Sequence, residues 1–234
     1  MVKILHLYND LMNLYGEYGN VVVLKKHLQD QGLEAMIINK SVNESVSFEN
    51  YDFIYCGSGT EKNQLVALKD LLTKKEAFIK AIDKDIVCLF TGNACEMLGK
   101  RIGEHEALGL VDYECDITDV RYTGDVVLNN KEIGEIVGFI NKCTHTTKNS
   151  DDYLFTYEFV DPNLKEGSTE GFYYRNVFAT HVIGPLLVKN PNFMKKIVTL
   201  LGKRENSDFV YKDITYPFEE DSYQVTLTAL KGRK

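Results

Sequence analysis

The chain has 234 residues, a formal net charge of −7, 44% hydrophobic and 26% charged residues, and only four prolines. That is a globular composition, and a chain of this size buries roughly 70% of its unfolded surface, so its core needs neither metal nor disulfide. The acidic balance works against nucleic acid and anionic lipid, whose phosphates repel such a field, and points to protein or small-molecule partners.

Met1 to His6 runs into a polar loop by Asn9, too early for a signal peptide. Apolar runs such as Ile86–Phe90 fall far below the ~20 residues that span a bilayer, so no membrane insertion is expected. Five cysteines form an odd count without paired spacing. They read as reduced thiols, and the expected location is the cytoplasm.

In chain order, Val2–Tyr8 reads as a buried strand and Asn20–Gln31 as a helix stopped by Gly32. Glu34–Asn39 and Phe53–Cys56 are strand-like, followed by helices over 63–72 and 74–80. Ile86–Phe90 is an apolar strand, and Ala94–Leu98 opens a helix. This alternation predicts a flavodoxin-like, doubly wound α/β fold with a largely parallel sheet covered on both faces. After Val111 the pattern turns to short added strands over 113–116, 125–128, 136–140 and 172–180, consistent with antiparallel additions. Residues 142–171 read as a long polar loop on the binding face, 192–201 as a helix, and 221–230 as a last helix. No linker divides the chain, so a single domain over 1–234 is expected, with the tail 203–234 unassigned.

Ligands of open α/β sheets bind beyond the carboxyl ends of the strands. That rule selects the loops 9–20, 57–64, 91–95 and 181–185. The first has two glycines, Gly16 and Gly19, which let backbone approach a ligand, or it simply connects a strand to a helix capped by Asn20. In the second, Gly57 and Gly59 stand between a strand and a helix, where backbone N–H groups can face an oxyanion or carboxylate. It lacks the spacing of a P-loop or a dinucleotide fingerprint, and no cofactor is expected.

In the third, Cys95 falls in the first turn after a sharp strand-to-helix junction, the place of a nucleophile, although buried cysteines are also common in cores. In the fourth, His181 follows a strand and precedes a Gly-Pro turn, where it is either a general base or a hydrogen-bonded turn residue. Cys143-Thr-His145 is the only close Cys/His pair, and no metal site is expected from it.

Taken together, four stretches resemble the cobyric-acid-synthase-like (CobB/CobQ-like) class I glutamine amidotransferases. They are Asp10–Asn20, Gly57–Gln64, the middle region from Ala107 through Arg121 to Asn141, and Gly184–Pro191. The likeness spans about residues 1–200 and is strongest to the glutaminase subunits that amidate lipid II with a Mur-ligase-like (MurT-like) partner. It implies a cysteine thiolate attacking the side-chain amide of glutamine, a histidine relaying protons, backbone N–H groups (Gly59 and its neighbours) holding the oxyanion, and ammonia passing to the partner. It also implies that Arg121 holds the glutamine carboxylate.

Two positions depart from the pattern. Laid on Ala94, Glu96 and Gly99, the family's cysteine falls on Gly92; its histidine, directly before Gly-Pro, falls on Ile183. Either Cys95 and His181 form a relocated catalytic pair, or the chain is a non-catalytic scaffold that keeps the amidotransferase shape. A free-standing small-molecule binding protein is a third reading.

Overall fold

A computed structural model describes residues 1–148, 151–164 and 167–233. In chain order the elements are β1 (Val2–Leu7), α1 (Tyr18–Asp30), β2 (Ala35–Lys40), β3 (Phe53–Cys56), α2 (Glu61–Leu72), α3 (Lys75–Asp83) and β4 (Val87–Thr91). A 3-10 helix over Gly92–Leu98 leads to the two-residue strands β5 (Arg101–Ile102) and β6 (His105–Glu106). The long strands β7 (Tyr113–Asn130) and β8 (Gly134–Lys148) follow, then β9 (Phe155–Val160) and β10 (Thr169–Glu170). The last strands are β11 (Phe172–Tyr174), β12 (Val177–Thr180) and β13 (Val182–Ile183), and the last helices α4 (Leu186–Lys189), α5 (Pro191–Glu205) and α6 (Pro217–Lys231).

The first sheet runs β11-β12-β4-β3-β1-β2. Every pair in it is parallel except the edge hairpin β11/β12, so β2-β1-β3-β4-β12 has the flavodoxin-like doubly wound order. Its central strands β3 and β4 are buried along their whole length because both faces of the sheet are covered there. In β1, Ile4 points into a core with Leu24 and Leu28 of α1 and Ile197 and Leu201 of α5. Its neighbours Leu5 and Leu7 enter a second core with Ala67 and Leu71 of α2 and Phe78 and Ile82 of α3. Local chemistry sets the helix ends: the Thr60 side chain accepts from the Asn63 N–H at 3.1 Å and caps α2, and Gly32 takes φ +84° just beyond α1.

The second sheet is built on the antiparallel hairpin β7/β8, to which β5, β9 and β13 add. Here the sequence expectations need correcting. The strands expected over 113–116 and 125–128 are one strand interrupted by a bulge between Ile117 and Tyr122. The loop expected over 142–171 contains the end of β8, all of β9 and β10; residues 149–150 and 165–166 of it lie outside the described residues. Its buried positions include Lys142, Thr144 and Glu170, polar side chains turned inward, so the hydrophobic alternation that announces a strand is missing. The strand expected over 172–180 is a hairpin, reversed by a two-residue turn in which Arg175 takes φ +53°. The helix opening at Ala94 is a 3-10 segment that begins at Gly92 and ends at Leu98.

The tail is docked. Leu227 and Leu230 of α6 pack on Val127 and Val137 of the β7/β8 hairpin. Buried His27 of α1 meets Glu219 at 3.0 Å and stacks on Tyr216 with ring centroids 4.0 Å apart. Gln31 exchanges two hydrogen bonds with the Lys212 backbone, at 2.8 and 2.7 Å. No helix among the described residues is long and apolar enough to cross a membrane.

His6 of β1 is fully buried between Tyr18 and Tyr55, and neither ring nitrogen has a hydrogen-bond partner. Burial lowers its pKa from 6.5 to about 4. The unfolded chain therefore takes up a proton that the folded chain refuses, and this contribution to stability, full above pH 6.5, is lost as pH falls toward 4. His6→Phe keeps the ring stacking and abolishes the titration. Urea denaturation of the two proteins at pH 7 and pH 5 should show the variant gaining about 2 kcal/mol on the wild type over that interval.

Candidate active site

Four loops meet at the carboxyl ends of β1, β3, β4 and β12, and one side chain joins them. Glu17 is fully buried, and its carboxylate accepts from the Tyr55 hydroxyl at 2.6 Å, from the Thr91 hydroxyl, and from the Gly184 N–H at 2.9 Å. Burial pushes this carboxyl upward, against the pull of its three donors. Asn20 adds a second tie, donating to Tyr55 Oη at 2.7 Å and accepting from the Leu187 N–H at 2.7 Å.

Above Glu17 the chain turns sharply out of β4. Gly92 takes φ +58°, the left-handed conformation of a strand-to-helix elbow. A Cβ there would lie 2.4 Å from Ser58 Cβ and 2.8 Å from Ile183 Cγ2. Positions 92 and 183 thus face each other across the elbow, as a nucleophile and its base would, but they hold a hydrogen and a buried aliphatic side chain.

Beside the elbow lies a cavity of about 240 Å³ lined by Tyr15, Gly59, Glu61, Asn93, Arg121 and Asn141, among others. Arg121 pairs with Glu61 at 2.6 Å and donates to Asn141 Oδ1 at 2.9 Å; Asn141 in turn donates to Tyr15 Oη at 3.0 Å. The Gly59 N–H already donates to Asn93 Oδ1 at 3.0 Å, and the Gly59 carbonyl accepts from Asn93 Nδ2 at 3.0 Å. Gly57 is closely packed: a Cβ there would lie 2.7 Å from the Met12 carbonyl oxygen.

Cys95 and His181 line a different cavity, of about 270 Å³, with Tyr113, Lys142, Lys148 and Glu170 also in its wall. Lys142 is the one described residue common to the two cavities. Cys95 and His181 share the wall of this cavity, and each shifts the other's protonation. Glu170 fixes the ring: its Oε1 is 3.0 Å from Nδ1 and accepts from the His181 N–H at 2.9 Å, while Oε2 accepts from the Thr180 hydroxyl. On the other side Nε2 stands 3.4 Å from Glu96 Oε1 and has no hydrogen-bond partner. Glu96 is itself held by Gln64 at 2.6 Å and Thr144 at 2.5 Å.

The electrostatics follow from these partners. Burial opposes charge on His181, but Cys95 and Glu170 hold its pKa well above the ordinary value. Burial likewise opposes ionisation of Glu170, yet His181 and Thr180 bring it down to about 2. Burial pushes the Cys95 thiol up, while His181 pulls it down.

The structure therefore places Cys95 and His181 on the wall of one cavity and Gly59 and Arg121 on the wall of the other, while Gly57 is packed against Met12 and Glu17 outside that wall. Glu170, Glu96, Glu17 and Lys142 were not foreseen as site residues. Glu96 alone carried a signal, as the residue beside Cys95 in the elbow motif; Glu170 stood in a stretch that reads as a loop.

Residues 3–191 match the CobB/CobQ-like glutamine amidotransferase domain. The chain belongs to that family. Two similar proteins are lipid II isoglutaminyl synthase (glutamine-hydrolyzing) subunits GatD. The one from Staphylococcus aureus is 27% identical over 100% of this chain and 98% of that protein. The one from Streptococcus pneumoniae is 30% identical over 94% of this chain and 86% of that protein. Among solved structures, a glutamine amidotransferase from Thermotoga maritima aligns with a TM-score of 0.55 at 12% identity, over 99% of this chain and 97% of that one. PurLQS from the same organism aligns with a TM-score of 0.54 at 14% identity, over 86% and 96%. These structures share the amidotransferase fold with it.

Within that family fold the elbow has closed around its glycine. Gly92→Ala would meet both an unfavourable φ and the Ser58 side chain, and should destabilise the chain by about 2 kcal/mol or more. Adding Ser58→Gly to this variant should recover part of the loss. Paired urea titrations of the single and double variants measure both effects.

Proposed function

We propose that this chain is the amidotransferase-fold subunit of a cytoplasmic, lipid II-amidating type of complex, that it binds a Mur-ligase-like (MurT-like) partner, and that it does not hydrolyse glutamine at the elbow. The subunit part of the reading is supported by the likeness to the two GatD proteins along nearly the whole chain. The observation that carries the second part is the pairing of Gly92 with Ile183 across the elbow. Glycine supplies no atom to attack an amide, and isoleucine none to relay a proton.

The cavity with Arg121 is the place for an amino-acid ligand. A guanidinium already oriented by Glu61 and Asn141 offers a fork to an α-carboxylate, and the Asn93 side chain and Thr60–Glu61 backbone border the same space. On this reading glutamine or a related amino acid is bound without being cleaved, and the subunit acts by shaping and stabilising its partner.

A second reading, a relocated glutaminase pair at Cys95 and His181, is favoured by their shared cavity wall and by Glu170 on Nδ1. Against it, Cys95 opens into a cavity separate from the one that holds Arg121 and Gly59, so a glutamine gripped there is not presented to the thiol.

The deciding measurement is glutamate release by the chain co-purified with its Mur-ligase-like partner, wild type beside Cys95→Ala. We expect an intact complex, no glutamate above background from either protein, and amidation supported by ammonium salts alone. Glutamate release that disappears in Cys95→Ala would establish the second reading, and failure of the two chains to associate would remove the subunit assignment.

A further inference from the structure

Of the strands that end the two sheets, β6, β10 and β13 have two residues each and β11 has three, whereas β2 has six, Ala35–Lys40. A short edge strand offers little unpaired backbone to another chain, and charges, prolines and bulges guard longer ones. β2 lacks these guards over most of its length. Its one charged side chain is Lys40 at the end, it holds no proline, and its register with β1 runs unbroken from Ala35 to Lys40. Met36 is 38% exposed, and Ile37 and Ile38 are partly exposed.

The direction of each backbone group in β2 follows from its bonds to β1. The Val2 N–H donates to the Glu34 carbonyl at 2.7 Å, and the Tyr8 N–H to the Lys40 carbonyl at 2.6 Å. Backbone groups of alternate residues in an extended chain point to the same side, so Met36 and Ile38 also face β1. Ala35, Ile37 and Asn39 turn both N–H and C=O the other way, toward an edge that no strand among the described residues occupies. Side chains alternate too. Ile37 packs on the core that holds Leu24 and Leu28 of α1, and Glu34, Met36, Ile38 and Lys40 share the opposite face.

We propose that β2 is the contact of a symmetric dimer, in which it pairs antiparallel with β2 of a second copy about a two-fold axis at Ile37. This register satisfies all three outward residues as hydrogen-bonded pairs: Ile37 opposite Ile37 of the second copy, and Ala35 opposite Asn39 on each side of the axis. It also places Met36 opposite Ile38 and Glu34 opposite Lys40, twice each, in the closer non-hydrogen-bonded pairs. Sliding one copy by two residues parts Glu34 from Lys40. The segment is thus self-complementary in backbone, apolar contact and charge. Lys40 already pairs with Glu44 at 3.3 Å, but Glu34 and Glu44 are both exposed, so the new pair displaces no buried one.

The pairing joins the two six-stranded sheets into one continuous sheet. Because the two β2 strands run in opposite directions, the loops at the carboxyl ends of the strands open at opposite ends of it. The dimer does not depend on the reading given for the elbow. Glutamate release tests that reading, and self-association of the chain alone tests this one.

The experiment follows sedimentation of the full-length chain from about 5 to 500 μM, a range set by the weakness of a contact built on one strand pair. A reversible monomer–dimer equilibrium is expected, weakened roughly tenfold by Met36→Lys, which sets an unpaired cation in the apolar pair. Glu34→Lys and Lys40→Glu should each weaken it similarly by opposing like charges, and the double variant should return to within about threefold of wild type. Amide exchange at Ala35, Ile37 and Asn39 should slow as the concentration rises. A wild-type chain that stays monomeric over the whole range, a result that needs no variant to fold, overturns the proposal. So does a dimer indifferent to Met36→Lys or to the charge reversals. Protection of the three amides only when the Mur-ligase-like protein is added would assign the edge to that protein and likewise overturn it.

Discussion

The carboxylate of Glu17 is the constraint on which the site depends. It is removed from water, and a buried carboxylate is tolerated only when donors surround it. Those donors come from the ends of β3 and β4 and from the Gly-Pro turn after β13, so one side chain fixes the relative positions of three segments far apart in the sequence. The elbow geometry at Gly92 and its contact with Ile183 are consequences of that fixation. The carboxyl ends of these strands are thus held in register by a side chain that lies wholly inside the protein.

A second constraint separates the two cavities. Glu96 and Thr144 face the cavity with Arg121, and His181 and Cys95 face the other. The wall between them holds two buried carboxylates around one imidazole, cross-linked by Gln64, Thr144 and Thr180. Removing one partner from such a network leaves an uncompensated buried charge, typically a loss of about 3–5 kcal/mol, which makes the wall stiff.

Much of the doubly wound half was legible in the sequence, and the reason lies in periodicity. Strands such as Phe53–Cys56 and Val87–Thr91 are short apolar runs followed by loops rich in glycine and asparagine, and their order with the intervening helices leaves few alternatives. The β7/β8 half was legible only in pieces. Its strands bury Lys142, Thr144 and Glu170, and polar residues turned inward to satisfy one another look like loop residues in one dimension. In the tail only the last helix was legible, because its docking rests on partners such as His27 and Gln31, which lie some 180 to 190 positions away.

For the site, the sequence alone determined what positions 92 and 183 cannot do, because the missing atoms of glycine and isoleucine are properties of the residues themselves. It also determined the family, through motifs in the four loops that a parallel sheet must gather at its carboxyl edge. Only the tertiary structure decided that Cys95 and His181 line one cavity, that Glu170 orients the ring, and that Arg121 and Gly59 belong to another cavity. Such contacts join residues whose separation along the chain carries no information about their separation in space, and they are fixed by packing and by the pairing of buried charge.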